Sequence, residues 1–455
     1  MRIWREGDTS LEIAEYETVL AETSLVHEVS SDTWTQLGLA VTQTLSDPPE
    51  LWRIKADKYV GIARLHTSGG ERNLRIRPKL DVDIFFLADY AFEHRRDLLA
   101  TRNLQAHMAV LREDPAAALI AWMIADIEAF ARRHLRRQYV LRRETLEGTL
   151  RGTPLLDDYV SGHLAHGHAE RMPSEFHELT ADNLANQIIK ATLREALRLT
   201  WALPLPAAQR ILRRHANRVL PLFGSVAERR VSTADFNRLA LRGSMRHYRP
   251  IIRKCRAFLE GLYIGEALGE HVQDAFLWDM NLLYQEALRG ALAAWTGGRL
   301  DPARPARSRV TGPLLPRSRS STVDPDYVLR APAAGTLLLD AKYKDTQAAL
   351  ADDEVDVDVP SVGRIKVSRA DIYQAVAYAQ HDEYRGAQTG LIFPIALPAG
   401  HELPLRHRVE GFSQPVHVLF FDVGAGARSN LPTLYTQLDA LTSTAPTSVQ
   451  IAAAA

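Results

Sequence analysis

Residues Thr336 to Lys344 read TLLLDAKYK. Thr336 and the three leucines that follow have the character of a strand entering a core, and Asp340, Lys342 and Lys344 continue it at period two, so their side chains leave one face. A carboxylate and amines at the end of a buried strand call for a reason, because desolvating either charge is costly unless it is paired or bound. Upstream, the string SSTVDPDYVLR holds a second carboxylate, Asp326, between two short strand-like runs, Ser320 to Val323 and Tyr327 to Leu329. The turn-forming APAAG at Ala331 to Gly335 separates Tyr327 to Leu329 from the TLLL run. A hairpin across that turn brings Asp326 and Asp340 together.

Two neighbouring carboxylates with an amine beside them suit a divalent cation with oxygen ligands, most simply Mg²⁺. Such an ion activates water and offsets charge on a phosphodiester, while the lysine positions or deprotonates the water. The alternative for these residues is an ordinary surface hairpin with solvated charges.

Pro325-Asp326, thirteen intervening residues and Asp340-Ala341-Lys342 resemble the PD-(D/E)xK nuclease signature. The fuller DAKYK resembles the McrC family, the nuclease subunit of modification-dependent restriction systems. Two further places resemble that family: Asp371-Ile372-Tyr373-Gln374 with Tyr378, and Asp279-Met280-Asn281-Leu282-Leu283-Tyr284 on the helix that leads into the nuclease. The resemblance implies a Mg²⁺-dependent endodeoxyribonuclease with Asp326 and Asp340 as metal ligands, Lys342 serving the water, and Gln374 and Tyr378 bordering the centre. It also implies double-stranded DNA carrying a modified base, 5-methylcytosine in the family, as substrate, and a separate McrB-like GTPase ring as partner. The chain has no phosphate-binding G-x-x-x-x-G-K-S/T loop of its own. In one respect it departs from the family pattern: where a Glu is usual on the first helix, Tyr284 is followed by Gln285, and Glu286 comes one residue later. One residue turns a helical side chain by about 100°. An amide adds no negative charge. That departure supports a second reading, a scaffold or activator of a ring-forming GTPase with a weakened nuclease centre.

At 455 residues, with 46% hydrophobic and 24% charged, the chain has the length of two or three domains and an ordinary globular composition. A single cysteine, Cys255, excludes an internal disulfide framework. The N-terminus has no signal-peptide pattern and no apolar run is long enough to span a bilayer, so a cytoplasmic protein without a membrane partner is expected. Formal net charge is zero, from 55 basic and 55 acidic residues, but the distribution is uneven. Arg210 to Arg256 is arginine-rich, as helices with one wet face or a phosphate-following surface would be.

Three regions are expected: 1–135, strand-rich at its start and partner-binding; 136–268, a helical middle; and 269–455, an α/β nuclease domain with a mixed sheet flanked by helices. In the first, Asn73 to Leu80 alternates Leu74, Ile76 and Pro78 with Arg75, Arg77 and Lys79. Together with Tyr59 and Gly61 it resembles the family's Y-x-G and I-x-P-K strands, and its basic face is one candidate dock for a partner. A helical pattern from Phe92 to Arg137 is divided at Pro115. GTLRG, Gly148 to Gly152, resembles a short family strand, and Asp182, Asn183 and Asn186 match a D-N-x-x-N helix, expected over Thr180 to Leu197 with Thr180 as its cap. His163, His166 and His168 lack the spacing of a structural zinc site and read as a solvated loop. A helix over Ala275 to Trp295, a basic linker from Thr296 to Ser321, a solvated acidic loop at DDEVDVDV, a helix from Ser368 to Gln380 and strands at Leu391 to Ile395 and Val416 to Phe421 complete the expectation.

Overall fold

The structure is a computed structural model and describes residues 2–5, 7–43, 51–67, 70–91, 110–111, 114–261, 272–297, 306–310, 319–323, 325–331, 335–344, 354–359, 363–384, 386–412 and 415–443. It divides into two compact units, Met1–Asp97 together with Ile264–Ala455, and Leu98–Tyr263.

In the first unit, alternating apolar residues build a sheet from β1 (Ser10–Ala14), β2 (Tyr59–Thr67), β3 (Gly70–Arg77) and β4 (Val272–Asp279), in the order β4-β2-β3-β1. β3 is antiparallel to β2 and parallel to β1. Leu74 and Ile76 enter a core shared with Leu11, Ile13, Trp34 and Ile54, the last from a neighbouring sheet of Ile3–Trp4, Thr18–Glu22, Leu51–Ala56 and Leu39–Gln43. On the opposite face of β3, Arg77 Nε lies 2.5 Å and Arg75 Nη1 4.0 Å from Glu12 on the neighbouring β1.

α1 (Ile84–Ala91) packs on α2 (Met280–Trp295). The expected helix from Ala275 begins instead at Met280, because the strand β4 pairs with β2 as far as Asp279, whose side chain then caps the helix by accepting from Leu282 N at 3.1 Å. Where the two helices meet, a Cβ on Gly290 would lie 1.8 Å from the carbonyl oxygen of Tyr90. Backbone cannot yield as a flexible side chain can, so Gly290→Ala is expected to cost about 3 kcal/mol, the upper part of the overpacking range. Chemical denaturation checks it, and an unchanged midpoint would show that the helices separate freely.

The C-terminal sheet comprises β5 (Tyr327–Ala331), β6 (Gly335–Ala341), β7 (Gln388–Ile395), β8 (His407–Val409) and β9 (Val416–Asp422), ordered β5-β6-β7-β9-β8. β5 and β6 form the expected hairpin, with Tyr327 opposite Leu339. β6 to β7 and β7 to β9 run parallel, and β8 returns antiparallel, giving a mixed sheet flanked by helices that include α3 (Arg369–Gln380) and α4 (Ala427–Ser443). The central strands are mostly apolar and buried from Thr389 to Ile395 and throughout β9, as parallel strands covered on both faces should be. Arg319–Val323 is a strand, as expected from Ser320 to Val323, and pairs antiparallel with Ala306–Val310. Two expectations change. Ala306–Val310, within the expected linker, is a strand, and the acidic Glu354–Val359 is a strand paired with Gly363–Ser368 rather than a loop.

The second unit is helical, with Pro115–His134, Leu184–Leu199, Pro206–Val219 and Arg249–Gly261 as its main helices. Asp114 caps the first, with Pro115 in the opening turn where a missing N–H costs nothing. The Leu98, Leu99, Leu104 and Met108 part of the helical pattern lies outside the described residues. The cap of Leu184–Leu199 is Asn183, not Thr180, since Thr180 still belongs to a strand, Arg171–Thr180, that pairs with Gln138–Glu147 along its whole length. Asn183 and Asn186 both donate to the carbonyl of Arg136, so the D-N-x-x-N residues tie the helix to its neighbours. Gly148 to Gly152 is a turn and not a strand. Both glycines have left-handed φ, +64° and +70°, and a Cβ on Gly152 would meet Glu175 O at 2.2 Å. Arg210, Arg214, Arg218, Arg238, Arg242, Arg246, Arg249, Arg253 and Arg256 are exposed, whereas Lys254 is buried and pairs with Asp126 at 2.8 Å. Among the described residues no helix is long and apolar enough to cross a membrane.

Candidate active site

Three elements bring the expected residues together. The β5–β6 hairpin supplies Asp326, immediately before β5, and Asp340, near the end of β6. Asp326 Oδ2 accepts from the backbone N of Ala341 at 2.7 Å, which fastens the two carboxylate-bearing segments to each other. Asp340 is buried, as the leucine run before it requires. β6 ends at Ala341, and Lys342 N makes one more bond to its neighbour strand, to Ile392 O at 2.9 Å.

α3 supplies the facing side. Its residues Asp371, Gln374 and Tyr378, spaced i, i+3 and i+7, lie along one stripe as helical geometry demands. Lys342 Nζ contacts Asp340 Oδ2, donates to Gln374 Oε1 at 2.8 Å and lies 3.6 Å from Asp371 Oδ1. Gln374 Nε2 donates to Tyr378 OH at 2.5 Å, and Tyr378 OH donates to Asp340 Oδ1 at 3.4 Å. The result is a closed ring of one ion pair and three hydrogen bonds: Asp340, Lys342, Gln374, Tyr378 and back to Asp340. Lys344, the third charged position of the period-two series, pairs with Asp371 at 2.6 Å. Ser368 stands at the N-cap position of α3, but its side chain makes no capping hydrogen bond.

α2 supplies the third side. Gln285 Nε2 donates to Asp326 Oδ1 at 2.5 Å, while Glu286 turns to Arg289 at 3.3 Å, one turn along its own helix. The amide of Gln285 therefore faces Asp326, and Glu286 faces Arg289 instead. Tyr327 OH donates to the backbone carbonyl of Gln285 at 2.7 Å and Tyr284 OH to Ile392 O at 3.0 Å, so the helix is hung on both the hairpin and the adjacent strand. Neither tyrosine hydroxyl was singled out from sequence, where a buried aromatic reads only as core.

Burial pushes the Asp326 carboxyl up to about 6, and the negative charge of Asp340 adds to the rise. Tyr378 is raised by burial and by the same Asp340 charge. The two carboxylates thus repel across a partly dry site, and the Lys342 ammonium offsets only part of that repulsion. Among the described residues no group of three or more His, Cys, Asp or Glu is placed to hold a metal ion.

One basic residue lies where the sequence reading did not put it. Lys79, expected on the basic face of the N-terminal strand, donates from Nζ to the backbone carbonyl of Tyr343 at 2.8 Å, between Lys342 and Lys344.

A family model described as McrBC 5-methylcytosine restriction system component matches residues 54–394. Comparison with curated proteins finds no match. Among solved structures, the chain is similar to one in the refined half-complex from the tetradecameric assembly of Thermococcus gammatolerans McrB AAA+ hexamers with bound McrC. That likeness has 18% identity, a TM-score of 0.55, and coverage of 95% of this chain and 100% of that one. A chain of the cryo-EM structure of the Thermococcus gammatolerans McrBC complex is 21% identical over 63% of this chain and 88% of that one, with a TM-score of 0.35. With its family match running from the N-terminal sheet into the central strand of the C-terminal sheet, the chain belongs to the McrBC 5-methylcytosine restriction system component family.

Proposed function

We propose that this chain is the Mg²⁺-dependent, PD-(D/E)xK-type endonuclease subunit of a GTP-dependent, modification-directed restriction complex, acting on double-stranded DNA delivered by a McrB-like GTPase ring. The observation that carries the reading is the convergence of Asp326, Asp340, Lys342, Gln374 and Tyr378, drawn from the hairpin and α3, into one half-buried charged centre. A fold does not keep two mutually repelling carboxylates on a buried strand end for stability.

The residues fit a hard divalent cation. Asp326 and Asp340 would hold it, and the Gln285 amide, by turning over, would present its carbonyl oxygen in place of its NH₂. When bound, the ion supplies water activation and stabilisation of charge on the phosphodiester oxygens. The chain's own part is positional. Gln374 accepts from the Lys342 ammonium and passes a hydrogen bond through Tyr378 to Asp340, which fixes the direction of the amine. Lys342 then holds the attacking water or a non-bridging phosphate oxygen, and its burial beside Asp340 keeps bulk water from competing. The exposed arginines of the helical unit suit phosphate contacts, which carry affinity without sequence preference.

The test is cleavage of methylated and unmethylated duplexes by the chain alone and with its GTPase partner, each with and without GTP. Efficient cutting of the methylated duplex only in the complete mixture is the expected result. Selective cutting by the isolated chain would sink the division of labour. A second reading, a scaffold or activator with a weakened centre, is favoured by the amide at Gln285. It requires a complex that binds DNA and hydrolyses GTP yet cuts nothing with either Mg²⁺ or Mn²⁺.

A further inference from the structure

The contact of Lys79 with Tyr343 joins the N-terminal sheet to the strand that carries Lys342, and both lie within one compact unit. The need for it is visible in the backbone. After Lys342 N bonds to Ile392 O, the chain leaves the sheet, and Lys344 N folds back onto Lys342 O at 2.8 Å. The carbonyl of Tyr343 has therefore left the ladder, and a buried carbonyl needs a donor. Lys79 Nζ is that donor. It also sits 3.9 Å from the centroid of the Tyr343 ring and 4.6 Å from that of Tyr16, a cation over two aromatic rings.

Lys79 is itself held. Its ammonium is 4.0 Å from Glu15 Oε1, with the Glu15 side chain fully buried, and its backbone N is 3.5 Å from Glu15 Oε2. Glu15 N in turn donates to Arg77 O at 2.8 Å. Tyr16 has φ of +61°, a left-handed conformation costly for a bulky residue, and its hydroxyl is engaged by Asn281 Nδ2 at 3.1 Å on α2. Tyr343 packs with its ring tilted against Tyr284, 5.3 Å between centroids, on the same helix and one residue from Gln285. A strained turn, a buried carboxyl and a half-buried lysine thus converge on the peptide between Lys342 and Lys344.

We propose that Lys79, seated by Glu15 and Tyr16, is a positioning residue for Lys342, orienting the peptide on which the amine depends and tying the N-terminal sheet to the nuclease centre. This rests on the nuclease reading given above. Lys79 touches no reacting group and acts only through the backbone of Tyr343.

The test uses the full chain with its GTPase partner, GTP, Mg²⁺ and a methylated duplex, comparing wild type with Lys79→Met and Lys79→Arg. Lys79→Met is expected to lower the single-turnover rate at saturating DNA by about tenfold, in line with small misplacements of a catalytic group, and to leave DNA affinity unchanged. Hydrogen exchange in the isolated chain supplies a readout independent of cutting. The amides of Lys342 and Lys344 should exchange at least about tenfold faster in Lys79→Met while β7 and β9 stay protected. Lys79→Arg, which keeps a cationic donor, should recover most of both effects.

Unchanged exchange with an unchanged rate overturns the proposal. So does a rate loss accompanied by loosening of the whole C-terminal sheet, since that is a general structural role. Local loosening in Lys79→Met, when the wild-type chain itself never cuts, would support the positioning and overturn the nuclease reading, so the two failures are distinguishable.

Discussion

Asp340→Asn is expected to lose cleavage by about a thousandfold or more in the complete mixture while the protein remains folded and still joins its GTPase partner. The size follows from what the carboxylate is asked to do: a metal ion stabilises phosphodiester hydrolysis by several kcal/mol, and each 1.4 kcal/mol is about a factor of ten. The substitution keeps the shape of a side chain that is buried at the end of β6. It also keeps an oxygen able to accept from Tyr378, whose hydroxyl lies 3.4 Å away. What it removes is one of two charges that repel each other, a repulsion already visible in the raised proton affinity of Asp326. The loss should therefore be functional, and it has a companion signature. Added Mg²⁺ or Mn²⁺ should raise the melting temperature of the wild-type chain, because an ion that binds only the folded state stabilises it by mass action, and that rise should vanish in Asp340→Asn. Cutting at the wild-type rate by Asp340→Asn would remove the residue from the mechanism. A metal-induced rise that survives intact would move the ion elsewhere.

The hairpin and its charges were legible because their signals are local. Three leucines followed by Asp, Lys and Lys at period two state both the strand and the face, and the thirteen residues between Asp326 and Asp340 are the length of two short strands and a turn. The stripe of Asp371, Gln374 and Tyr378 was singled out by the resemblance, since helical spacing says that the three share a face but not that this face meets the hairpin. Glu354–Val359 also carried its signal, since valine alternates with acid there, but the density of charge disguised a strand as a loop. Gln138–Glu147 had no such signal: most of its residues are exposed, so burial imposes no alternation. Lys79 was beyond reach for a different reason. Its strand reads as half-buried with a basic face, and nothing near it in sequence says that Arg75 and Arg77 end on Glu12 while Lys79 crosses 264 positions to Tyr343. Likewise the amide of Gln285 could be seen to replace a carboxylate, but that it faces Asp326 while Glu286 faces Arg289 depends on how α2 is rotated against the sheet.

Lys342→Met separates the two jobs that the centre combines. The ammonium touches Asp340 and Gln374 and lies near Asp371, so in the resting protein it is the nearest positive charge to Asp340. Methionine keeps an unbranched stem of similar length and removes only the charge and the donor. Cleavage should fall by about a hundredfold or more, the usual contribution of a group that positions or deprotonates a nucleophile. Metal binding should change in the opposite direction. With the ammonium gone, the two carboxylates are compensated less, so a divalent cation is attracted more strongly and its half-saturating concentration in a melting titration should drop. Asp371 stays neutralised by Lys344 at 2.6 Å, which confines the change to the Asp326 and Asp340 side of the site. A variant that binds Mg²⁺ more tightly and cuts far more slowly is what a nuclease lysine produces, whereas a scaffold with a decayed centre has no cutting to lose. If metal affinity instead falls along with cleavage, Lys342 serves to hold the carboxylates in place, and the water or phosphate contact assigned to it must pass to Gln374 or Tyr378.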